Sequence, residues 1–414
     1  MKILIILLVV AGIMISCSET DTVENIRISP HDEFDNADEI SVAAFQEKLA
    51  GDEFEGDLKI SDVFGDIEII PLETVQESII SELNTARIKV TEDHIFVLDQ
   101  GRNHALYVFD KKGRHQFTLD DHGHGPGEFS YPVDFYVNAD ESLIGLQDLQ
   151  NMEMNYYSLD DGEFDHEVQT EVSPSSFLAI GDSTYLFHDD SPMPAHNAEH
   201  KLVLAKGNSL LDKYMPIKKK RQDFSFHGHH NFWITDDQDT LFYYTFNDTI
   251  YHLDNYEPEP RYIIDLGDDQ IDYEWYFAEH TRETYHEVRS ENNFTWNVQN
   301  FFVTEKFKYF TYSHGHDDGI NILTAIYDRE QSLGEIFGAY ELTNDIGEFD
   351  LYSWASNVYD DRLVYMTSSL DNSKELIELN ADCCIDPEIK RLHLDKDQDF
   401  ETPNPAVILV ELDM

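Results

Sequence analysis

The run Ile95–Val137 reads IFVLDQGRNHALYVFDKKGRHQFTLDDHGHGPGEFSYPVDFYV, and it constrains the fold more than any other stretch. It holds three short apolar-aromatic strands, Ile95–Asp99, Ala105–Asp110 and His115–Leu119, and a fourth at Val133–Val137. Gly101-Arg102-Asn103 and Lys111-Lys112-Gly113 punctuate them as hairpin turns do, and the Gly/Pro loop from His122 to Glu128 is incompatible with helix. A strand, turn, strand-ending-in-Asp, Gly, strand pattern returns in weaker form at LIGLQ…MNYYSLDDGEFDHEV, TLFYYTFNDTIYHLD and NILTAIYDREQSLGEIF. The spacing of roughly 45–60 residues is that of propeller blades, four-stranded sheets that hide their faces only against neighbouring blades. A blade cannot bury its apolar surface alone, so the ring must close. The expected fold is all-β, a six-bladed β-propeller over residues 57–414.

Further strands are expected at Ile67–Pro71, Ser142–Leu146, Met154–Leu159, Thr184–Phe187, Leu202–Lys206, Leu241–Phe246, Thr249–Leu253, Arg261–Asp265, Tyr309–His314, Asn321–Asp328, Leu363–Thr367 and Ala406–Leu412. Most alternate apolar with polar residues, the period of a half-buried strand. The segment 268–300 breaks that rhythm. Trp275, Ala278, Tyr285 and Val288 are spaced as on a helix, which predicts a helical insertion on one face of the ring.

The N-terminus carries an export signature. Lys2, the apolar run Ile3–Val10 and the small-residue site ending at Cys17 read as a signal peptide over residues 1–16, because the run is too short for a spanning helix. Cys17 directly after it is similar to the lipobox of bacterial lipoproteins, in which the cysteine is acylated and becomes the first mature residue. An ordinary secretory signal that happens to contain a cysteine is the competing reading. Residues 17–56 then form an acidic tether or lead with one candidate helix at Val42–Leu49. The implied address is the cell envelope, at the outer membrane, with the lipid as the membrane contact. Only Cys383 and Cys384 remain beyond Cys17, so no disulfide framework holds the body; a vicinal disulfide and two free thiols both stay open.

Charge narrows the partners. With 28 basic and 83 acidic residues the net charge is −55, a field that repels nucleic acid and anionic lipid surfaces. A hydrophobic content of 41% with 13% aromatics is nonetheless ample for a core, so the body folds rather than staying disordered.

The phrases DIEIIPLET at 66–74, IFVLD at 95–99, LYVFDKKG at 106–113, GHGPGEFSYPVDF at 123–135 and NPAVILVEL at 404–412 carry a family resemblance. In this order they resemble the bacterial six-bladed β-propeller lipoproteins, relatives of NHL-repeat propellers, over nearly all of the chain after the lead. The resemblance implies that the N-terminal strand and the C-terminal segment share a blade and latch the ring. It implies fold and address more than an activity.

Three constellations could carry chemistry. In GHGPGEF the glycine amides, His124 and Glu128 form a candidate ligand loop; equally, the glycines permit a turn, Glu128 accepts backbone hydrogen bonds and Phe129 packs. Histidines in Gly-containing loops, His122 and His124, then His227, His229 and His230, then His314 and His316, are candidate ligand-binding residues. If distant loops converge, His124, His229, His314 and His316 with Asp317 or Asp318 would make a divalent metal site for calcium or zinc. Exposed loop histidines in a very acidic chain are the plain reading. Asp395, Asp397 and Asp399 imitate the first ligands of a calcium loop, but Phe400 and Ala406 stand where Gly and Glu are needed. Trp233, Trp275, Trp296 and Trp354 could stack on sugars or pack the core. No nucleophile elbow, P-loop or dinucleotide fingerprint occurs. The leading reading is a binding or interaction module for a carbohydrate, a peptide or an envelope protein; its rival is a metal-dependent propeller hydrolase or lyase.

Overall fold

A computed structural model describes residues 37–42, 59–83, 86–172, 174–181, 183–188, 200–216, 231–235, 239–245, 247–267, 269–271, 294–316, 319–328, 335–338, 343–349, 351, 354–367, 373–394 and 404–413. Six sheets form the blades of a β-propeller. Blade I is β3 (Arg87–Val90), β4 (His94–Asp99), β5 (Ala105–Asp110) and β6 (His115–Leu119); blade II is β7 (Pro132–Val137), β8 (Leu143–Asp148), β9 (Glu153–Ser158) and β10 (Phe164–Gln169). Blade III is β11 (Ser176–Gly181), β12 (Thr184–His188), β13 (His200–Lys206) and β14 (Ser209–Pro216). Blade IV is β15 (Phe232–Ile234), β16 (Thr240–Phe242), β17 (Thr249–Asp254) and β18 (Glu257–Asp265), and blade V is β19 (Thr295–Val303), β20 (Phe307–His316), β21 (Gly319–Asp328) and β22 (Glu335–Gly338). Blade VI joins β23 (Asn357–Tyr359), β24 (Arg362–Met366) and β25 (Ala406–Leu412) to β2 (Phe64–Pro71) from the other end of the chain. Ile69 faces Ile408 and Phe64 faces Leu412, so the expected latch is present.

The unbroken apolar run IFVL in β4 has a direct cause. Ile95 and Val97 pack toward blade VI, whereas Phe96 and Leu98 pack toward blade II with Phe135, Ile144 and Leu146. Both faces of a blade are covered, so the middle strands lose the alternation of a half-exposed sheet. The same sandwiching repeats around the ring, with Tyr156, Phe177 and Tyr185 between blades II and III and Tyr243, Phe301 and Phe310 between IV and V.

The recurrent Asp at strand ends is structural. Asp99 accepts the Ser81 and Gly101 amides at 2.6 and 2.8 Å. Its counterpart Asp148 accepts those of Ser130, Tyr131 and Gln150 at 2.6, 3.1 and 2.9 Å. Each stitches the loop entering its own blade. Asp110 caps the next turn through the Lys112 and Arg114 amides, both at 2.9 Å. Gly113 closes that turn at φ +74°, where a side chain would also strike the Pro71 carbonyl.

Two sequence expectations change. The lead 17–56 is not all tether, since β1 (Asp38–Ser41) lies parallel to β18 as a fifth strand of blade IV. Ile40 and Val42 are buried among blades IV and V, and Tyr327 donates its hydroxyl proton to the Ser41 carbonyl at 2.9 Å. Val42 continues the pairing with blade IV through its amide and the Asp265 carbonyl at 2.9 Å; the rest of the candidate helix Val42–Leu49 falls in residues 43–58, outside the described residues. The end of the expected insertion over 268–300 is strand, β19 from Thr295, because Trp296, Val298, Phe301 and Phe302 are buried on both faces of an inner strand; the residues that carry the helical spacing, Trp275, Ala278, Tyr285 and Val288, fall outside the described residues. Residues 272–293 lie outside the described residues.

Candidate functional site

The first strand of each blade is its innermost, so β3, β7, β11, β15, β19 and β23 surround the ring axis. Polar side chains tie these strands blade to blade. Arg87 on β3 meets Asp134 on β7 at 3.2 Å and donates to the Ser175 carbonyl before β11 at 2.9 Å. Asp134 also accepts the Phe177 amide at 3.2 Å. Ser176 donates to Asn231 at 2.8 Å, the Trp233 indole to the Val303 carbonyl at 2.8 Å, and Asn357 to the Ile88 carbonyl at 2.9 Å. Ala355 donates its amide to the Tyr309 hydroxyl at 2.8 Å, which joins blade VI to blade V.

Between these ties lies a cavity of about 300 Å³, walled by Lys89, Asp134, Phe177, Asn231, Trp233 and Asn357 among others. Its electrostatics are set by two cations and a carboxylate in apolar surroundings. Arg87 is 4% exposed. Burial pushes the Asp134 carboxyl up, against the pull of the Arg87 guanidinium and of the Phe177 and Phe135 amides. Burial also lowers the Lys89 ammonium, while Asp134 and Glu141 pull it back. No histidine or cysteine lines this cavity. It offers cationic donors and aromatic walls, the means of binding a small molecule.

The residues singled out from sequence fall elsewhere. In the loop before β7 the Glu128 carboxylate accepts the His124 and Gly125 amides at 3.1 and 3.0 Å. The His124 ring sits 2.6 Å from the Asn151 side-chain oxygen. Tyr157 donates to the Gly127 carbonyl at 3.0 Å. His122 lies edge-on to Phe129, which is fully buried. Gly127 holds φ +76° with the Phe164 ring 2.6 Å from where a side chain would start, so only glycine fits. Every one of these groups supports the turn.

His314 is 9% exposed in β20, opposite Thr295 and Asn321, and His316 ends the same strand. Blade V is three places around the ring from blade II. His227, His229, His230, Asp317, Asp318, Cys17 and the aspartates from 395 to 399 lie outside the described residues. Among the described residues no three His, Cys, Asp or Glu side chains are grouped to hold a metal ion. Trp296 is fully buried, whereas Trp233 reaches the cavity. Cys383 and Cys384 are joined as a vicinal disulfide between two short helices, α1 (Ser373–Asn380) and α2 (Pro387–Leu394), and the Cys384 carbonyl accepts the Ile69 amide of the latch strand at 2.8 Å.

Sequence reasoning missed Arg87 and Lys89. The available signal was RIKV, a four-residue stretch with basic residues at alternate positions just before the strongest strand pair, in a chain poor in basic residues.

Fold and cavity together define a six-bladed propeller with a polar-tied, partly cationic axis. The chain belongs to the family described as "Domain of unknown function (DUF4934)", which it matches over residues 47–411. Among solved structures it is similar to a Bacteroides fragilis protein described as exported, at 16% identity and a TM-score of 0.67, covering 91% of this chain and 99% of that one. It also matches a member of the DUF4221 family from Bacteroides vulgatus at 8% identity and a TM-score of 0.46, covering 85% of this chain and 97% of that one. BamB from Moraxella catarrhalis follows at 8% identity and a TM-score of 0.34, covering 84% and 98%. No curated protein matches the chain.

Proposed function

We propose that this protein is a cell-envelope binding module that holds a small ligand in its axial cavity and is anchored through a lipid on Cys17. The observation that carries the reading is the cavity itself. Five of the six inner strands place charged and aromatic side chains around about 300 Å³ of open space instead of filling it. An interior without a role is normally close-packed. The envelope address is supported by the Lys2 to Cys17 signature and by the exported B. fragilis protein of similar fold.

Native mass spectrometry of protein purified from its own cells tests the binding reading. An adduct that disappears in Ala179→Trp, a plug placed in the cavity wall, is the expected result. If the plugged variant keeps the same adduct, the ligand lies elsewhere. For the anchor, Cys17→Ser is expected to move the protein from the membrane fraction to the soluble one; continued membrane association would refute the lipid.

A further inference from the structure

We infer that the ligand of the axial cavity is a small organic anion, its carboxylate or phosphate seated against the Lys89 ammonium and its apolar flank against Phe177 and Trp233. This rests on the binding reading above and narrows it to one chemical class.

The polar groups of the wall divide into those engaged by the protein and those left open. The Asn231 side chain donates to the Tyr243 carbonyl at 3.1 Å and accepts from Ser176. The Asn357 amide group donates to the Ile88 carbonyl and its oxygen accepts the Val358 amide at 2.8 Å. The Trp233 indole is engaged by the Val303 carbonyl. Asp134 is held by Arg87 and two backbone amides. Each of these groups completes the fold.

Lys89 does not. Among the described residues no hydrogen bond or ion pair reaches its ammonium. The two carboxylates close enough to act on it through charge are Asp134 and Glu141. Asp134 already serves Arg87, and Glu141 accepts from Thr91 at 2.8 Å, from the Glu92 amide at 3.2 Å and meets the His94 ring at 3.1 Å. A second donor on this wall, Arg87 Nε, is buried and has no hydrogen-bond partner. Both positions are cationic donors without a direct hydrogen-bond partner, and a partly buried cation whose nearby carboxylates are engaged elsewhere costs stability. In a chain with 83 acidic residues, a carboxylate to neutralise Lys89 was available in quantity. The inner strands supply only Asp134, already paired with Arg87, and an anion from outside completes the set. Phe135, Phe177 and Trp233 supply an apolar flank for its carbon body.

The test is calorimetric titration of the full chain with matched pairs: phenylacetate against phenethyl alcohol, glucuronate against glucose, and inorganic phosphate alone. At least one anion is expected to bind, about tenfold or more tightly than its uncharged counterpart. Lys89→Met should abolish that preference and Lys89→Arg should keep it. Titration in two buffers of different ionisation enthalpy should show proton uptake at alkaline pH, because a seated anion raises the burial-lowered ammonium toward its ordinary range. If no anion binds while native mass spectra carry an uncharged adduct removed by Ala179→Trp, the inference falls and the binding reading stands. If no anion binds and no adduct is found, both fall. If phenylacetate or glucuronate binds equally well to Lys89→Met, the seat is not Lys89.

Discussion

The loop around GHGPGEF and the inner wall around Arg87-Ile-Lys89 make an instructive pair. The loop is conspicuous in sequence and self-satisfied in structure: Glu128, Asn151 and Tyr157 bond its backbone, and the exposed His124 ring meets the Asn151 side chain. The wall is inconspicuous in sequence and incomplete in structure, with donors on Lys89 and Arg87 that the chain leaves unanswered. Unusual composition marks places where the backbone makes unusual demands. Capacity for a ligand is marked by polar groups that no backbone demand accounts for.

The strongest way to break this comparison is Asp134→Ala. It leaves the Arg87 guanidinium buried without its counter-charge and should lower unfolding stability by about 3–5 kcal/mol in urea titration. The double change Arg87→Met with Asp134→Leu should recover most of that loss; a double variant no better than the single one would mean the pair is more than a mutual neutralisation. Alkaline pH should come next, through the phenols packed within and between the blades. Burial raises the phenols of Tyr107, Tyr185 and Tyr309 to about 12, and those of Tyr136 and Tyr156 also upward. A raised folded value means this contribution is intact below the ordinary tyrosine range near 10 and is lost as pH climbs from there. The urea midpoint should accordingly fall between pH 10 and about 12, with phenolate absorbance appearing in the same transition.

Glu128→Ala should cost less, about 1–2 kcal/mol, since it strands two partly exposed amides. It should leave ligand binding at the axis unchanged, and a parallel loss of binding would reunite loop and wall as one site. The smallest effect has the opposite sign. Lys89→Met should raise stability at neutral pH by about 1 kcal/mol, because the ammonium is held in apolar surroundings. A depressed lysine recovers its cost as pH rises through the lowered value toward 10.5, so the advantage of the variant should fade over that range. A penalty at pH 7 would show that Lys89 has a partner in the free protein.

Much of the ring was legible in the chain. Strands β4 to β6 of blade I appear in sequence with nearly the boundaries they have in structure, because IFVLD and LYVFD are apolar on both faces and the Asp-capped turns follow at once. The latch followed from DIEII and AVILV, which the resemblance assigned to one blade. What could not be read lies in pieces too short or too distant. DEIS in β1 is four residues with two acids, and only its pairing with β18 makes it a strand. Arg87, Asp134, Phe177, Asn231 and Asn357 meet because a ring returns five separated strands to one axis. Period and composition carry no record of that convergence.

The latch also sets the order of events in folding. β2 emerges early and finds no partner until β25 has been delivered, so the pairing of Ile69 with Ile408 spans nearly the whole chain. Contacts of such sequence separation form slowly. Until they do, Val407 to Val410 present an unpaired apolar edge, a template for association with other chains. The tie from Asn357 to Ile88 also waits for closure, so the axial cavity is assembled last, after every blade that lines it has formed.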